Sequence, residues 1–499
     1  MRTLFLCLVL AGMTTLPAVA PAQNLPTLGD TERQELSPLM ERKLGEQIMR
    51  DIRRDRDYLD DAPLLEYLNA VGNKLLTARP EARGEAGYDF FFFAVRDPML
   101  NAFALPGGFI ALHTGTLLAA QTESEMAAVL AHEIGHVSQR HIARMLGRQK
   151  QDALIPLATT ILGILAARSN PDAAQALIMG GEGFAAQRYL SFSRDAEREA
   201  DRVGLQIMRD AGMDASGMVA FFGRMQTASR AYDDSFPFLR SHPLTTERIA
   251  DIQSRLQEQR YRQHTDSLDF HLMRARARLL QDDTPLALAN AATVFESQLQ
   301  QKNRAVVAAG KYGLAMIALK QHQFDKALSL LQEARSAADG APEAARTSTY
   351  GGVLASLGIE IRLAARQFDE AVREADAARA RYPLARGIAR QYAEALIDAG
   401  RTDDAIAFLR DQAQLYRQEP RLHELLARSY AAKGRQALQH MALAESYALS
   451  GSLQAALDQL NIARGASDAS FYDLAVIDAR ERDLRARVRD EMKDGQKGK

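Results

Sequence analysis

Cysteine is close to absent from this chain of 499 residues: the one present, Cys7, lies inside an N-terminal apolar run. No intrachain disulfide can form, so folding must rest on a packed core and any bound metal. An excess of one charge is also missing. With 62 basic and 63 acidic residues, the net charge of −1 provides no field to steer nucleic acid, which is excluded as an expected partner. Long hydrophobic runs are missing too, because no stretch offers the roughly 20 apolar residues of a membrane span. The nearest approach, "ALIPLATTILGILAA" at 153–167, is interrupted by Pro156. It reads as a buried helix or flap, with a peripheral membrane contact as the second reading.

What is there begins with "MRTLFLCLVLAGMTTLPAVAPAQ", in which Arg2 precedes an apolar run from Leu4 to Gly12 and small residues stand at Ala20 and Ala22. This is the pattern of a secretory signal cleaved after Ala22, so residues 1–22 are expected to leave and to take Cys7 with them. Beyond it the chain is too long for one ordinary core. Strand-like runs, "YDFFFFAV" (88–95) and "FALPGGFIALHTG" (103–115), mix with helical stretches up to about residue 260. That predicts an α+β unit with a small sheet over 23–260. From about 266 to 499 the strand signals give way to alanine-rich amphipathic helices. Ala371 and Ala405, and likewise Gly400 and Gly434, recur at 34 residues, and "HQFDKALSLLQEA" and "SGSLQAALDQLNIA" are further copies at irregular spacing. A 34-residue period with a small residue at the tight helix–helix contact is the tetratricopeptide pattern, which predicts an all-α solenoid with a concave face for a partner protein.

The stretch "VLAHEIGHVSQRH" (129–141) carries the chemistry. Thr122 and Glu125 form a capping-box signature, and Met126, Val129, Leu130 and Ile134 recur at helical spacing. His132 and His136 therefore sit one helical turn apart on one face, where two imidazoles can bind a single Zn²⁺. Glu133, displaced around the helix, can act as base on a water at the metal and deliver its proton to a leaving amine. Peptide-bond hydrolysis is the expected reaction. His141 lies nine positions past His132, on the opposite face of a continuous helix, and is expected at the surface.

A third ligand has to come from elsewhere. In "SFSRDAEREADRVGLQIM" (191–208), Glu197 and Asp201 share a face. Glu197 would complete a His₂Glu set, and Asp201 could orient a ligating histidine through its free N–H. Glu199 is the alternative ligand. Gly107 and Gly108 are expected to bring backbone close to whatever covers them, and Phe109 and Ile110 to begin an edge strand to which an extended peptide could add.

In this order, "NAFALPGGFIALHTG", "HEIGH", "SRDAEREAD" and "SHPLTTERI" resemble the metallopeptidase family that includes the CAAX prenyl proteases and the bacterial heat-shock membrane protease. The resemblance implies a zincin-like α+β domain binding one Zn²⁺ on His132, His136 and Glu197, with Glu133 as base and Asp201 supporting. The signal and the repeats extend it to periplasmic members of the family. Those imply outer-membrane barrel quality control with chaperone-like activity, on unfolded outer-membrane proteins and beside the barrel-assembly machinery. A scaffold or chaperone with a rarely active zinc site is the alternative. For His242, in "SHPLTTERI", the resemblance implies a gate that fills the metal's open position. A hydrogen bond to the reaction's oxyanion and a plain turn residue are the competing readings.

Overall fold

The computed structural model describes residues 36–84, 86–147, 192–231, 238, 242–257, 264–346 and 349–496. The signal expected at 1–22 and the apolar stretch 153–167 lie outside them. Three strands, β1 (Phe91–Val95), β2 (Ala102–Leu105) and β3 (Phe109–His113), form one sheet in the order β1–β3–β2. β3 runs parallel to β1, with Phe91 opposite Phe109, and antiparallel to β2, with Leu105 opposite Phe109.

The expectation that Phe109 and Ile110 start an edge strand is therefore wrong, because they begin the central strand. Every residue of β3 is buried. An unbroken apolar run suits a strand covered on both faces, whereas a half-solvated strand alternates. Gly107 and Gly108 form the turn before it, at φ +78° and +94°. They do permit a close approach, and what approaches is the N-terminal helix α1 (Pro38–Ile52): a Cβ on Gly107 would lie 2.7 Å from the Arg42 Cα. The side of the sheet next to this hairpin ends in β2.

Helices enclose the sheet. α2 (Ala62–Ala78) packs on β1, α3 (Thr114–Ala119) follows β3, and α4 (Glu123–Ser138) packs against β2, β3 and α2. Thr122 caps α4, its Oγ accepting from the Glu125 amide. The Glu125 carboxylate accepts from the Gln121 amide, one residue outside the expected reciprocal position. Every residue of α4 from Glu123 to Val137 is buried, so polar groups on this helix face protein. α5 (His141–Gly147), α6 (Arg194–Asp210), α7 (Ser216–Ala231) and α8 (Thr246–Gln257) complete this part.

From Leu268 onward the described residues are helical hairpins, among them Arg304–Lys320 with Phe324–Asp339, Arg386–Asp398 with Thr402–Leu415, and Pro420–Ala432 with Gln436–Leu449. Their turns repeat one device. Gly400 and Gly434 adopt left-handed φ of +74° and +69°, and the next amide reaches back to the Leu396 and Tyr430 carbonyls. This is a Schellman end, which satisfies carbonyls the helix leaves open. His322 and Arg366 make the same turn without glycine, at φ +58° each. Ala327, Ala371, Ala405 and Ala456 are fully buried at the hairpin contacts.

The hydrophobic core does not stop where the texture changes, since one cluster runs from Leu59 to Ile361. Buried Arg276, on the helix Leu268–Gln281, lies 2.8 Å from Asp61 and 2.9 Å from Glu360, which ties α2 to the repeat helices.

Candidate active site

Two glycines set the distance between the helices that carry the site. A Cβ on Gly135 of α4 would lie 2.9 Å from the Ala200 carbonyl of α6, and one on Gly204 of α6 would lie 3.2 Å from the Ala131 carbonyl. Without side chains at these two points the backbones come close enough for short side chains to meet. Ser193 caps α6 by accepting from the Ala196 amide, which leaves Glu197 and Asp201 one turn apart facing α4. The loop before α8 delivers His242, and Thr245 starts that helix by accepting from the Arg248 amide at 3.2 Å.

His132, His136, Glu197 and His242 each offer one ligand atom, all within 4.8 Å of one another and all buried. His132 Nε2 lies 3.0 Å from His136 Nε2, 3.3 Å from His242 Nδ1 and 3.5 Å from Glu197 Oε2. Glu197 Oε1 lies 3.4 Å from His136 Nε2 and 3.0 Å from His242 Nδ1. Four donors at bond lengths of roughly 2.0–2.1 Å around a tetrahedral ion are about 3.3 Å apart, so this set fits a metal ion at its centre. The chemistry of the donors fits as well, being three imidazoles and one carboxylate.

The surrounding groups fix those donors. Asp201 Oδ1 lies 3.0 Å from His132 Nδ1, on the side of the ring opposite the inward-facing Nε2. Arg248 holds both carboxylates: its Nε and Nη2 each reach Asp201 at 2.7 Å, and its Nη1 reaches Glu197 at 2.6 Å and the Pro243 carbonyl at 2.8 Å. Burial disfavours the charged form of His132, yet its interactions with the acceptor carboxylates of Asp201 and Glu197 outweigh it and carry its pKa up to about 9. His136 is pushed well below the usual range by burial. Burial would raise Glu197, but the Coulombic pull of His242 and hydrogen bonds from all three histidines hold it well down. Glu133 is fully buried, and desolvation pushes its carboxyl up against the pull of His242 and His132. The Ala104 amide also pulls it down, and His242 Nε2 stands 3.6 Å away.

The structure thus brings together His132, Glu133, His136, Glu197, Asp201 and His242. Gly107, Gly108, Phe109 and Ile110 lie elsewhere, in the central strand and its turn. Glu199, the alternative ligand, faces away from the cluster and pairs with His141 at 3.1 Å and Arg144 at 3.0 Å. His141 is not at the surface. It is buried, with Nδ1 2.8 Å from His136 Nδ1. The continuous-helix reading fails because α4 ends at Ser138, Arg140 adopts φ +52°, and a separate helix, α5, starts at His141. Arg248 was also missed. Its signal was an arginine one helical turn into the segment after "SHPL", too weak on its own to mark a buried ion pair.

The family model described as Peptidase family M48 matches residues 66–256, and a tetratricopeptide repeat model matches 362–429. A putative beta-barrel assembly-enhancing protease of Vibrio cholerae is 35% identical over 66% of this chain and 67% of its own length. The chain belongs to peptidase family M48. The beta-barrel assembly-enhancing protease of Escherichia coli K12 is 28% identical over 94% of both chains. A mitochondrial metalloendopeptidase of Schizosaccharomyces pombe is 32% identical over 41% of this chain and 56% of its own. The M48 match spans the residues that carry the buried His–His–Glu cluster, so the chain is a metalloprotease with a tetratricopeptide tail. The relatives are named as proteases, which favours peptidase over scaffold. Among the described residues no helix is long and apolar enough to cross a membrane.

Proposed function

We propose that this chain is an exported zinc endopeptidase of the bacterial periplasm that degrades misfolded or stalled outer-membrane β-barrel proteins. One observation carries the chemistry: four buried donors converge at tetrahedral spacing beside a fully buried carboxylate, Glu133. The client class rests on the names of the Vibrio and Escherichia relatives. The catalytic unit spans 23–260 and the repeats 266–499, and the repeats contact the barrel-assembly machinery.

His132, His136 and Glu197 would hold one Zn²⁺ per chain. When bound, the ion supplies Lewis acidity that polarises a peptide carbonyl and makes an attacking water more acidic. Glu133 takes that water's proton and returns it to the leaving amine, a task suited to a carboxyl raised by burial. Asp201 keeps His132 in the tautomer with Nε2 inward, and Arg248 holds Asp201 and Glu197 in register. His242 occupies the fourth position and restrains the enzyme. Stacking on Phe238, with ring centroids 4.5 Å apart, keeps it there. An extended client adds to β2, which packs against α4 and has a strand on one side only among the described residues.

The test is cleavage of an unfolded outer-membrane barrel protein by the zinc-loaded chain, beside the same protein folded in detergent. Cleavage of the unfolded form alone is expected. No cleavage, or equal cleavage of the folded barrel, would contradict the assignment.

A further inference from the structure

The two metal-facing histidines of α4 are supported in different ways. His132 Nδ1 meets a carboxylate, Asp201, at 3.0 Å. Among the described residues, His136 Nδ1 meets no carboxylate. It meets His141 Nδ1 at 2.8 Å, and His141 Nε2 meets Glu199 Oε2 at 3.1 Å, where Arg144 also binds at 3.0 Å.

We propose that His141 is a positioning residue for the metal site: it accepts the Nδ1–H of His136 and so fixes the tautomer and ring plane of that ligand. The inference rests on the assignment of His136 as a metal ligand through Nε2. A neutral imidazole that offers Nε2 to a metal carries its proton on Nδ1, and the group 2.8 Å from that proton must accept it. His141 then accepts at Nδ1 and carries its own proton at Nε2, which Glu199 accepts. The donors and acceptors along His136, His141, Glu199 and Arg144 match at every link. The rings meet edge to face, with centroids 4.8 Å apart and planes at 74°.

The backbone is shaped for this contact. Arg140, a non-glycine residue at φ +52°, interrupts the helix one position earlier and returns the chain toward His136. Its side chain is clamped by Glu41 at 2.7 Å and by the Leu36 carbonyl, so α1 braces the turn. A continuous helix would carry residue 141 away from residue 136. The asymmetry has a consequence: a carboxylate behind His132 makes it the stronger electron donor of the pair, whereas the neutral imidazole behind His136 orients without adding charge.

The experiment compares zinc affinity, by chelator competition, in wild type, His141→Phe, His141→Asn and His132→Ala. Phenylalanine fills the space but accepts nothing, and asparagine restores an acceptor near the Nδ1 position. His141→Phe is expected to weaken zinc by about ten- to a hundredfold, and His141→Asn to recover most of that. Unchanged affinity in His141→Phe, or equal losses in the Phe and Asn variants, would overturn the positioning role. His132→Ala separates this from the metal assignment itself: if that variant keeps zinc, the ligand reading has failed, and if it alone loses zinc, only the inference has. Should the Phe variant not fold, ¹⁵N-histidine NMR of the zinc-loaded wild type decides. A through-hydrogen-bond coupling between the Nδ1 atoms of His136 and His141 is expected, and its absence would overturn the proposal.

Discussion

Helix α4 and the repeat helices share one apolar period but enclose different things. α4 buries His132, Glu133 and His136 completely. The repeat hairpins bury Ala371, Ala405 and Ala456, and leave charges at the surface in pairs such as Arg401–Asp404 and Lys433–Asp403. Burying an ionisable group costs several kcal/mol unless partners compensate it, and exposed pairs contribute roughly 0–1 kcal/mol each. His132, Glu133 and His136 are therefore retained in α4 at a cost in stability. The alanines of the repeats set helix spacing and nothing else.

Breaking the buried set should have the largest effect. Glu197→Ala is expected to lower zinc affinity by more than about a hundredfold, beyond the usual effect of a supporting residue, while Glu199→Ala loses far less. Metal analysis after dialysis distinguishes them, and the reverse ranking would transfer the ligand to Glu199. Helix spacing is the next contrast. Gly135→Val forces side-chain atoms against the Ala200 carbonyl, and Ala405→Leu overpacks a repeat, each costing about 1–3 kcal/mol in thermal unfolding. Only the first should also weaken zinc binding. Equal zinc loss in both would erase the distinction between the regions.

His242→Ala tests the restraint. Turnover of an unfolded substrate should rise several-fold at full zinc occupancy, whereas a fall of about a hundredfold would make His242 an oxyanion donor. The smallest effect concerns His271 in the first repeat helix, which burial, with the nearby Arg274 charge, depresses from 6.5 to about 4. The unfolded chain takes up this proton first, so stability is full above about pH 6.5 and falls as pH drops toward 4. His271→Gln should flatten the acid limb of the stability–pH curve by up to one proton. An unchanged slope would show that His271 does not titrate there.

Much of this was legible in the sequence because it is local. His132 with His136, and Glu197 with Asp201, are one turn apart on capped helices, so each pair's shared face follows from spacing alone. The repeat turns at Gly400 and Gly434 announce themselves by residue type, and those at His322 and Arg366 do not, since only the backbone shows their left-handed φ. The same blindness hid His141: nothing in "SQRH" marks Arg140 as a helix break, and its brace, Glu41, is 99 residues away. Strand order failed for a related reason. "FALPGGFIALHTG" reads correctly as strand-forming, but which of its two arms takes β1 as neighbour is decided by packing of distant segments. The unbroken apolar run at 109–112 was the available hint that this arm is central.

The most direct test of a metal-dependent peptidase site built on α4 and α6 is the Glu133→Gln variant, assayed for zinc content and for cleavage of an unfolded barrel protein in the same preparation. Full zinc occupancy with cleavage reduced by about a hundredfold or more is predicted, because the base is lost and the ligands remain. Cleavage at the wild-type rate would contradict the account.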